Sequence, residues 1–174
     1  MPPIKPFKIN IVEERLQRLH QKLALTDLPE ETSDLEFGDR WSRGAPLADV
    51  KRLAAYWHKG FDWRKAEETL NKLPQFTTGI NIEGFGSYQI HFVHQLSSVT
   101  GAIPLLFLHG WPGSFIEVTK ILPLLVNGTA PAPSFHVIAP SLIDFGFSSG
   151  SKKASFTFSD SFILLSHLVE RIPH

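Results

Sequence analysis

The first part of the chain has apolar residues at helical spacing. Four of them, at positions i, i+4, i+7 and i+11, would share one face of a helix: Val12, Leu16, Leu19 and Leu23. Asn10 and Glu13 have the spacing of a capping box and predict that this helix begins there. The same periodicity predicts a second helix that ends at Gly60 and a third that begins at Asp62. The tryptophans of this region are expected to pack in the core or between segments: Trp41, Trp57 and Trp63.

After Pro74 the pattern changes from helical to strand spacing. β-branched and aromatic residues alternate over residues 76–82 and 88–94, and the segment 83–87 between them predicts a hairpin turn. The continuous apolar run over residues 103–108 is typical of a strand that is covered on both faces.

The remaining chain alternates between helix and strand patterns. Ser114 and Glu117 resemble a second capping box and predict a helix that continues to Leu125, with Pro123 late in it. Residues 135–139 predict another buried strand. A final helix is indicated by apolar residues at helical spacing: Phe162, Leu165, Leu168 and Val169. Because strands that alternate with helices form parallel pairs, this order predicts an α/β fold with about four strands. We therefore expect a helical amino-terminal segment over residues 1–74 and a sheet core over residues 75–174.

The composition of the chain argues against several classes of function. The 17 basic and 17 acidic residues give a net charge of zero, which provides no field to attract nucleic acid. The chain has no cysteine, and this excludes disulfides, thiolate nucleophiles and cysteine zinc sites. No apolar run has the length of a signal peptide or a transmembrane segment, so we expect a soluble, cytoplasmic protein.

The segment over residues 105–115 carries the clearest chemical signal, since it joins a predicted strand, a short loop and a helix start. Gly110 is expected to permit a backbone path that a side chain would hinder, and Pro112 withholds its own N–H. The backbone N–H of Trp111 is thus a candidate donor to an oxyanion. His109 has no partner in the motif that would make it a general base, so we expect it to hold the loop by hydrogen bonding.

Other candidate groups favour structural roles. Residues 146–150 match the Gly-x-Ser-x-Gly pattern of serine hydrolases, but Pro140 already ends the preceding strand, so Ser148 is not expected to be a nucleophile. His91 and His94 are three residues apart on a strand and would point to opposite faces, which argues against a shared metal. No cofactor or metal site is predicted. Two acidic residues lack the geometry of a nucleophile and are expected in a loop and at a helix start: Asp144 and Asp160.

The run from His109 to Phe115 resembles a known family. His109-Gly110-Trp111-Pro112 resembles the His-Gly-x-Pro oxyanion motif of α/β-hydrolase epoxide hydrolases, and the longer run resembles their microsomal-type branch. Supporting resemblances lie in residues 61–64, 70–76, 90–94, 139–142 and 145–148. The chain departs from the family at Ile143-Asp144, where a Pro-Gly-like turn is expected.

The resemblance implies a partial α/β-hydrolase sheet and a two-step hydrolysis of epoxides to vicinal diols. In this family an Asp carboxylate opens a small apolar epoxide to form an ester, and a His paired with an acidic residue activates water to cleave it. Only the oxyanion loop is present here, with Trp111 as the donor and His109, Gly110 and Pro112 in support. Because no Gly-x-Asp-x-Gly nucleophile motif occurs in the 174 residues, we expect an amino-terminal fragment that is inactive alone.

Two alternatives remain open. The chain could be a non-catalytic module that binds apolar ligands or associates with a full-length relative, or its loop could serve haloalkane or ester hydrolysis. In the family's usual strand order, the strand over residues 103–108 would have one unpaired edge, which predicts self-association through an open sheet edge.

Overall fold

The computed structural model describes residues 2–31, 41–42, 44–128, 131–151, 153–155 and 157–172. The elements are, in chain order, β1 (Lys5–Pro6), α1 (Glu13–Ala24), α2 (Leu47–Lys59), α3 (Trp63–Leu70), β2 (Gln75–Ile82), β3 (Gly86–Gln95), β4 (Ile103–Leu106), a 3-10 helix (Phe115–Val118), α4 (Leu122–Asn127), β5 (Phe135–Pro140) and α5 (Phe158–Val169). The chain forms two compact units, one of residues 1–8 with 70–174 and one of residues 9–69. The predicted domain boundary near residue 74 stays a prediction, because compactness does not establish that either segment folds alone.

The sheet has five strands in the order β1-β2-β3-β5-β4 among the described residues. The predicted hairpin is confirmed, since β2 and β3 pair in antiparallel register with Ile80 opposite Tyr88. β3 pairs with β5 in antiparallel orientation, and β4 lies parallel to β5. The α/β prediction is therefore confirmed. The additional strand, β1, is too short for a periodic pattern to reveal it.

The main core lies between one face of the sheet and α5. Alternate residues of β3 face this core: Tyr88, Ile90 and Phe92. They pack with apolar residues of β2, β5 and α5: Ile80, Ile82, Ile138, Leu164, Leu165 and Leu168. On the opposite face, the ring of His91 lies 4.8 Å from that of Phe115, which begins the 3-10 helix. Both faces of the central strand are thus covered.

The strand predicted over residues 103–108 is shorter and more exposed than expected. β4 ends the sheet in the described residues, and Ile103 is 49% exposed. The expectation that this strand is covered on both faces is therefore wrong. An apolar run predicts that other elements cover a strand, but in the described residues β4 lies at the end of the sheet and its first two residues are exposed.

The predicted start of the first helix is also wrong. Val12 is the N-cap of α1, and no side chain caps the helix. Glu13, expected to complete a capping box with Asn10, instead forms an ion pair with Arg64 at 2.8 Å. Glu13 therefore has a partner that is distant in sequence, Arg64, instead of the expected neighbour Asn10.

The capping box at Ser114 and Glu117 is confirmed, but the helix that follows is interrupted. The 3-10 helix ends at Val118, and α4 begins at Leu122 with Pro123 in its first turn. Proline suits the first turn because it lacks an N–H and has a helical φ angle. Pro123 therefore starts a new helix rather than bending an existing one.

The unit of residues 9–69 has little buried apolar surface on its helices. Neither α1 nor α2 contains a buried residue. Trp41 is 68% exposed and Trp57 is 50% exposed, so a core position is wrong for these two, and packing between segments stays a prediction. Trp63 is half-buried, and its indole N–H donates to Glu67 at 3.2 Å. Helical periodicity identifies an apolar face but does not establish that anything covers it.

Candidate functional site

His109 connects the loop that follows β4 to the loop that follows β5. Its side chain is buried, and its Nε2 accepts the backbone N–H of Leu142 at 3.2 Å. Because Nε2 is an acceptor, the proton lies on Nδ1, which donates to the carbonyl of Gly110 at 3.0 Å. The ring also meets the edge of Phe145 at 5.1 Å. These contacts bring residues 109–110 and 142–145 together at the carboxyl ends of the parallel strands, where α/β folds bind ligands.

Trp111 lies at the exposed tip of this loop. Its side chain is 84% exposed, and its backbone N–H donates to no atom of the described residues. Pro112 follows through a cis peptide bond and has no N–H to offer. An open depression of about 450 Å³ adjoins the loop and is lined by Pro112, Gly113, Ser114, Ile116, Glu117, Thr119 and Lys120.

Gly113, rather than Gly110, is the glycine that the loop requires for space. A Cβ at Gly110 would meet nothing within 4 Å. A Cβ at Gly113 would overlap the carboxylate of Glu117 and lie 2.8 Å from the carbonyl oxygen of Gly110. The expectation that a side chain at Gly110 would hinder the backbone is therefore wrong.

Glu117 reaches further into the loop than the capping box requires. Its Oε1 accepts the backbone N–H of Ser114 at 3.2 Å, as a capping box predicts. Its Oε2 also accepts the backbone N–H of Gly110 at 3.3 Å. Sequence reasoning missed this second contact, because the seven-residue separation corresponds to no local motif.

The loop after β5 continues the sheet alongside β3. The backbone N–H of Ser141 donates to the carbonyl of His91, and that of Ser149 donates to the carbonyl of Gln89, both at 2.8 Å. Serine hydroxyls accept the N–H groups of β3: Ser148 Oγ from His91 at 3.0 Å, and Ser149 Oγ from Gln89 at 2.9 Å. Ser148 Oγ also donates to the carbonyl of Ser141 at 2.7 Å. The hydroxyl of Ser148 is thus both donor and acceptor within the fold.

His91 is a fully buried polar residue below this loop. Its Nε2 donates to Gln75 Oε1 at 3.0 Å, and its Nδ1 accepts the hydroxyl of Ser141 at 2.9 Å. The rings of Phe7 and Phe147 lie 4.9 Å and 5.3 Å from it. Burial lowers the pKa of His91 to about 4, since a charged imidazole would lose its hydration here.

The remaining sequence candidates lie where structural roles were expected. His94 is half-buried, and its ring packs against Phe76 at 6.3 Å. Asp144 lies in a loop with φ +70, and its Oδ1 accepts the N–H of Ser151 at 2.8 Å. Asp160 lies in the first turn of α5, where hydrogen bonds from Thr157 lower its pKa.

The described residues contain no group of three or more histidine, cysteine, aspartate or glutamate side chains that could hold a metal ion. None of their helices has the length and hydropathy that a membrane span requires.

The chain is similar to known epoxide hydrolases in sequence. Residues 4–118 match the family described as epoxide hydrolase N terminus. Epoxide hydrolase 1 of Sus scrofa is 40% identical over 161 residues, which cover 88% of this chain and 34% of that protein. Juvenile hormone epoxide hydrolase 1 of Ctenocephalides felis is 36% identical over 170 residues, which cover 97% of this chain and 35% of that protein. The chain thus spans about a third of the length of the curated relatives it matches.

The fold is similar to solved epoxide hydrolases. The Aspergillus niger epoxide hydrolase has a TM-score of 0.78 at 33% identity, over 97% of this chain and 43% of that one. The juvenile hormone epoxide hydrolase of Bombyx mori has a TM-score of 0.80 at 27% identity, over 98% of this chain and 44% of that one. These matches confirm the predicted partial α/β-hydrolase fold and the resemblance to epoxide hydrolases. Because the family match includes well over half of its residues, the chain belongs to the epoxide hydrolase N-terminus family.

Proposed function

We propose that this chain supplies the oxyanion loop of an epoxide hydrolase that opens small apolar epoxides to vicinal diols through an ester intermediate. The observation that carries the proposal is the backbone N–H of Trp111, which has no acceptor in the described residues. This N–H follows a strand of a parallel pair, and family membership supports the reaction class. His109, Gly110 and Pro112 support the loop in this proposal.

The proposed chemistry requires an N–H that is free to bind developing negative charge. When water cleaves the ester, its carbonyl oxygen becomes an oxyanion, and a fixed backbone N–H stabilises that charge without reorganising. His109 contributes by holding the carbonyl of Gly110, and Pro112 contributes by offering no competing donor.

A chimera tests the proposal. This chain would replace the matching region of the Aspergillus niger epoxide hydrolase, whose solved structure fixes the junctions, and diol formation from styrene oxide would be measured. We expect the chimera to be active and the isolated chain to show no turnover above background. Turnover of esters or haloalkanes without epoxide turnover would reject the proposed reaction.

Two substitutions in the chimera separate the Trp111 N–H from its side chain. Trp111→Pro removes the N–H and is expected to lower turnover by about 100- to 1000-fold, with the ester intermediate accumulating to a level visible by mass spectrometry. Trp111→Ala keeps the N–H and is expected to retain most activity. A folded Trp111→Pro chimera that cleaves the ester at the unaltered rate would reject the oxyanion role.

A second candidate function is association between two copies of this chain through β4. Ile103 and Phe107 donate their N–H groups to Ser134 and Ile138, so the N–H groups of Leu106 and Leu108 face the other edge, which pairs with no strand of the described residues. Two such edges could pair in antiparallel orientation about Leu106. Multi-angle light scattering is expected to detect a dimer, and a monomer at all concentrations would reject this candidate. The cytoplasmic location and the lack of a nucleic-acid partner stay predictions.

A further inference from the structure

The carboxylate of Glu117 holds two points of the loop at once. Its two oxygens accept the backbone N–H groups of Gly110 at 3.3 Å and Ser114 at 3.2 Å. Trp111, whose backbone N–H is proposed to bind the oxyanion, lies between these two points. Because hydrogen bonds to an ionised carboxylate are stronger than bonds between neutral groups, Glu117 restricts the loop on both sides of Trp111.

The local sequence allows this reach. Ser114 caps the 3-10 helix and sets Glu117 in the position that faces back towards the loop. Gly113 leaves the space that the carboxylate occupies, since a Cβ there would overlap Glu117. Any other residue at Gly113 would push the carboxylate away from Gly110.

The backbone N–H groups of this loop differ in whether they have an acceptor. Gly110 and Ser114 donate their N–H groups to Glu117, while the N–H of Trp111 has no acceptor in the part of the chain that the structure describes. We propose that Glu117 is a positioning residue that fixes the Trp111 N–H by holding Gly110. This inference rests on the proposed function and adds to it a residue outside the His109–Pro112 motif.

Two substitutions at Glu117 separate the new contact from helix capping. Glutamine also completes a capping box, so Glu117→Gln is expected to keep the bond from Ser114. Its amide group has only one acceptor oxygen, so the bond from Gly110 is lost. Glu117→Ala removes both bonds. The second capping box of the chain provides a matched control, since Asp160→Asn weakens the cap of α5 without touching the loop.

Amide hydrogen exchange in the full 174-residue chain measures the contact itself. In Glu117→Gln we expect exchange at Gly110 to rise by about tenfold while Ser114 changes little. In Glu117→Ala both amides are expected to exchange faster, and in Asp160→Asn neither. Unchanged exchange at Gly110 in both Glu117 variants would overturn the inference.

Kinetics of the chimera measure the consequence. We expect Glu117→Gln to lower kcat by about tenfold and KM in proportion, with kcat/KM little changed, because the loop acts in ester cleavage, which follows the opening of the epoxide. Asp160→Asn is expected to leave both constants unchanged. Faster exchange at Gly110 with unchanged kcat would overturn the positioning role while leaving the proposed function intact. A chimera inactive on epoxides would reject the proposed function, and the exchange experiment would still decide whether Glu117 holds Gly110.

Discussion

The hydroxyl of Ser148 accepts the backbone N–H of His91 at 3.0 Å and thereby takes the place of a strand carbonyl beside β3. β5 pairs with β3 only as far as Phe92 opposite Pro140, so the N–H of His91 needs another acceptor. The motif that matches a serine hydrolase thus completes a sheet in this fold.

Ser148→Ala is expected to reduce stability by about 1–2 kcal/mol, because it leaves the N–H of His91 without its acceptor. The same substitution in the chimera is expected to retain epoxide turnover. Chemical denaturation and a diol assay check both parts. Ser98→Ala, at an exposed position, is the matched control and is expected to change neither. Loss of turnover at unchanged stability would mean that Ser148 is a nucleophile after all.

The loop glycines offer a paired prediction. Gly113→Ala is expected to displace the Glu117 carboxylate and to accelerate amide exchange at Gly110, since a Cβ there lies 2.8 Å from the Gly110 carbonyl. Gly110→Ala is expected to change stability by less than about 0.5 kcal/mol, because its Cβ meets nothing within 4 Å. Thermal denaturation and hydrogen exchange by NMR compare the two variants. Equal effects at both positions would contradict the assignment of the tight contact to Gly113.

Local patterns predicted the parts of this fold that depend on neighbours in sequence. The hairpin of β2 and β3, the end of α2 at Gly60 and the Ser114 capping box each follow from a few consecutive residues. The contact of Glu117 with Gly110 joins groups whose proximity depends on the path of the loop. Periodicity does not encode that path, which is why the contact was missed.

The candidate site also has features that follow from a local motif and features that depend on tertiary structure. The motif alone predicts the loop and the N–H of Trp111 as candidates. One partner of His109, Leu142, lies 33 positions away, and this contact depends on the parallel pairing of β4 with β5. A sequence motif therefore indicates the location of the candidate site, while the contacts that hold its loop depend on tertiary structure.

Pro104 limits pairing at the edge of β4 that faces away from β5. Ile103 and Phe107 donate towards β5, so the nitrogen of Pro104 faces the opposite side and offers no N–H there. Pro104→Val adds a donor to this edge and is expected to increase self-association. Light scattering over a concentration series measures the change. Pro133→Val, in an exposed loop, is the control, and equal association of both variants would argue against pairing through β4.

Burial of His91 makes the stability of the fold depend on pH. The pKa of His91 is lowered to about 4 in the folded protein from its ordinary value of 6.5, so the unfolded chain binds the proton first as pH falls. Its contribution to stability is complete above about pH 6.5 and declines down to about pH 4. The full decline corresponds to about 3 kcal/mol.

Urea denaturation at a series of pH values between 4 and 7 measures this decline. His91→Gln removes the titrating ring and is expected to flatten the dependence of unfolding free energy on pH, although it lowers stability at every pH by disturbing Gln75 and Ser141. His167→Gln removes an exposed histidine of α5 and is expected to preserve the dependence. If both variants kept the full slope, the acid sensitivity would have to come from groups other than the ring of His91.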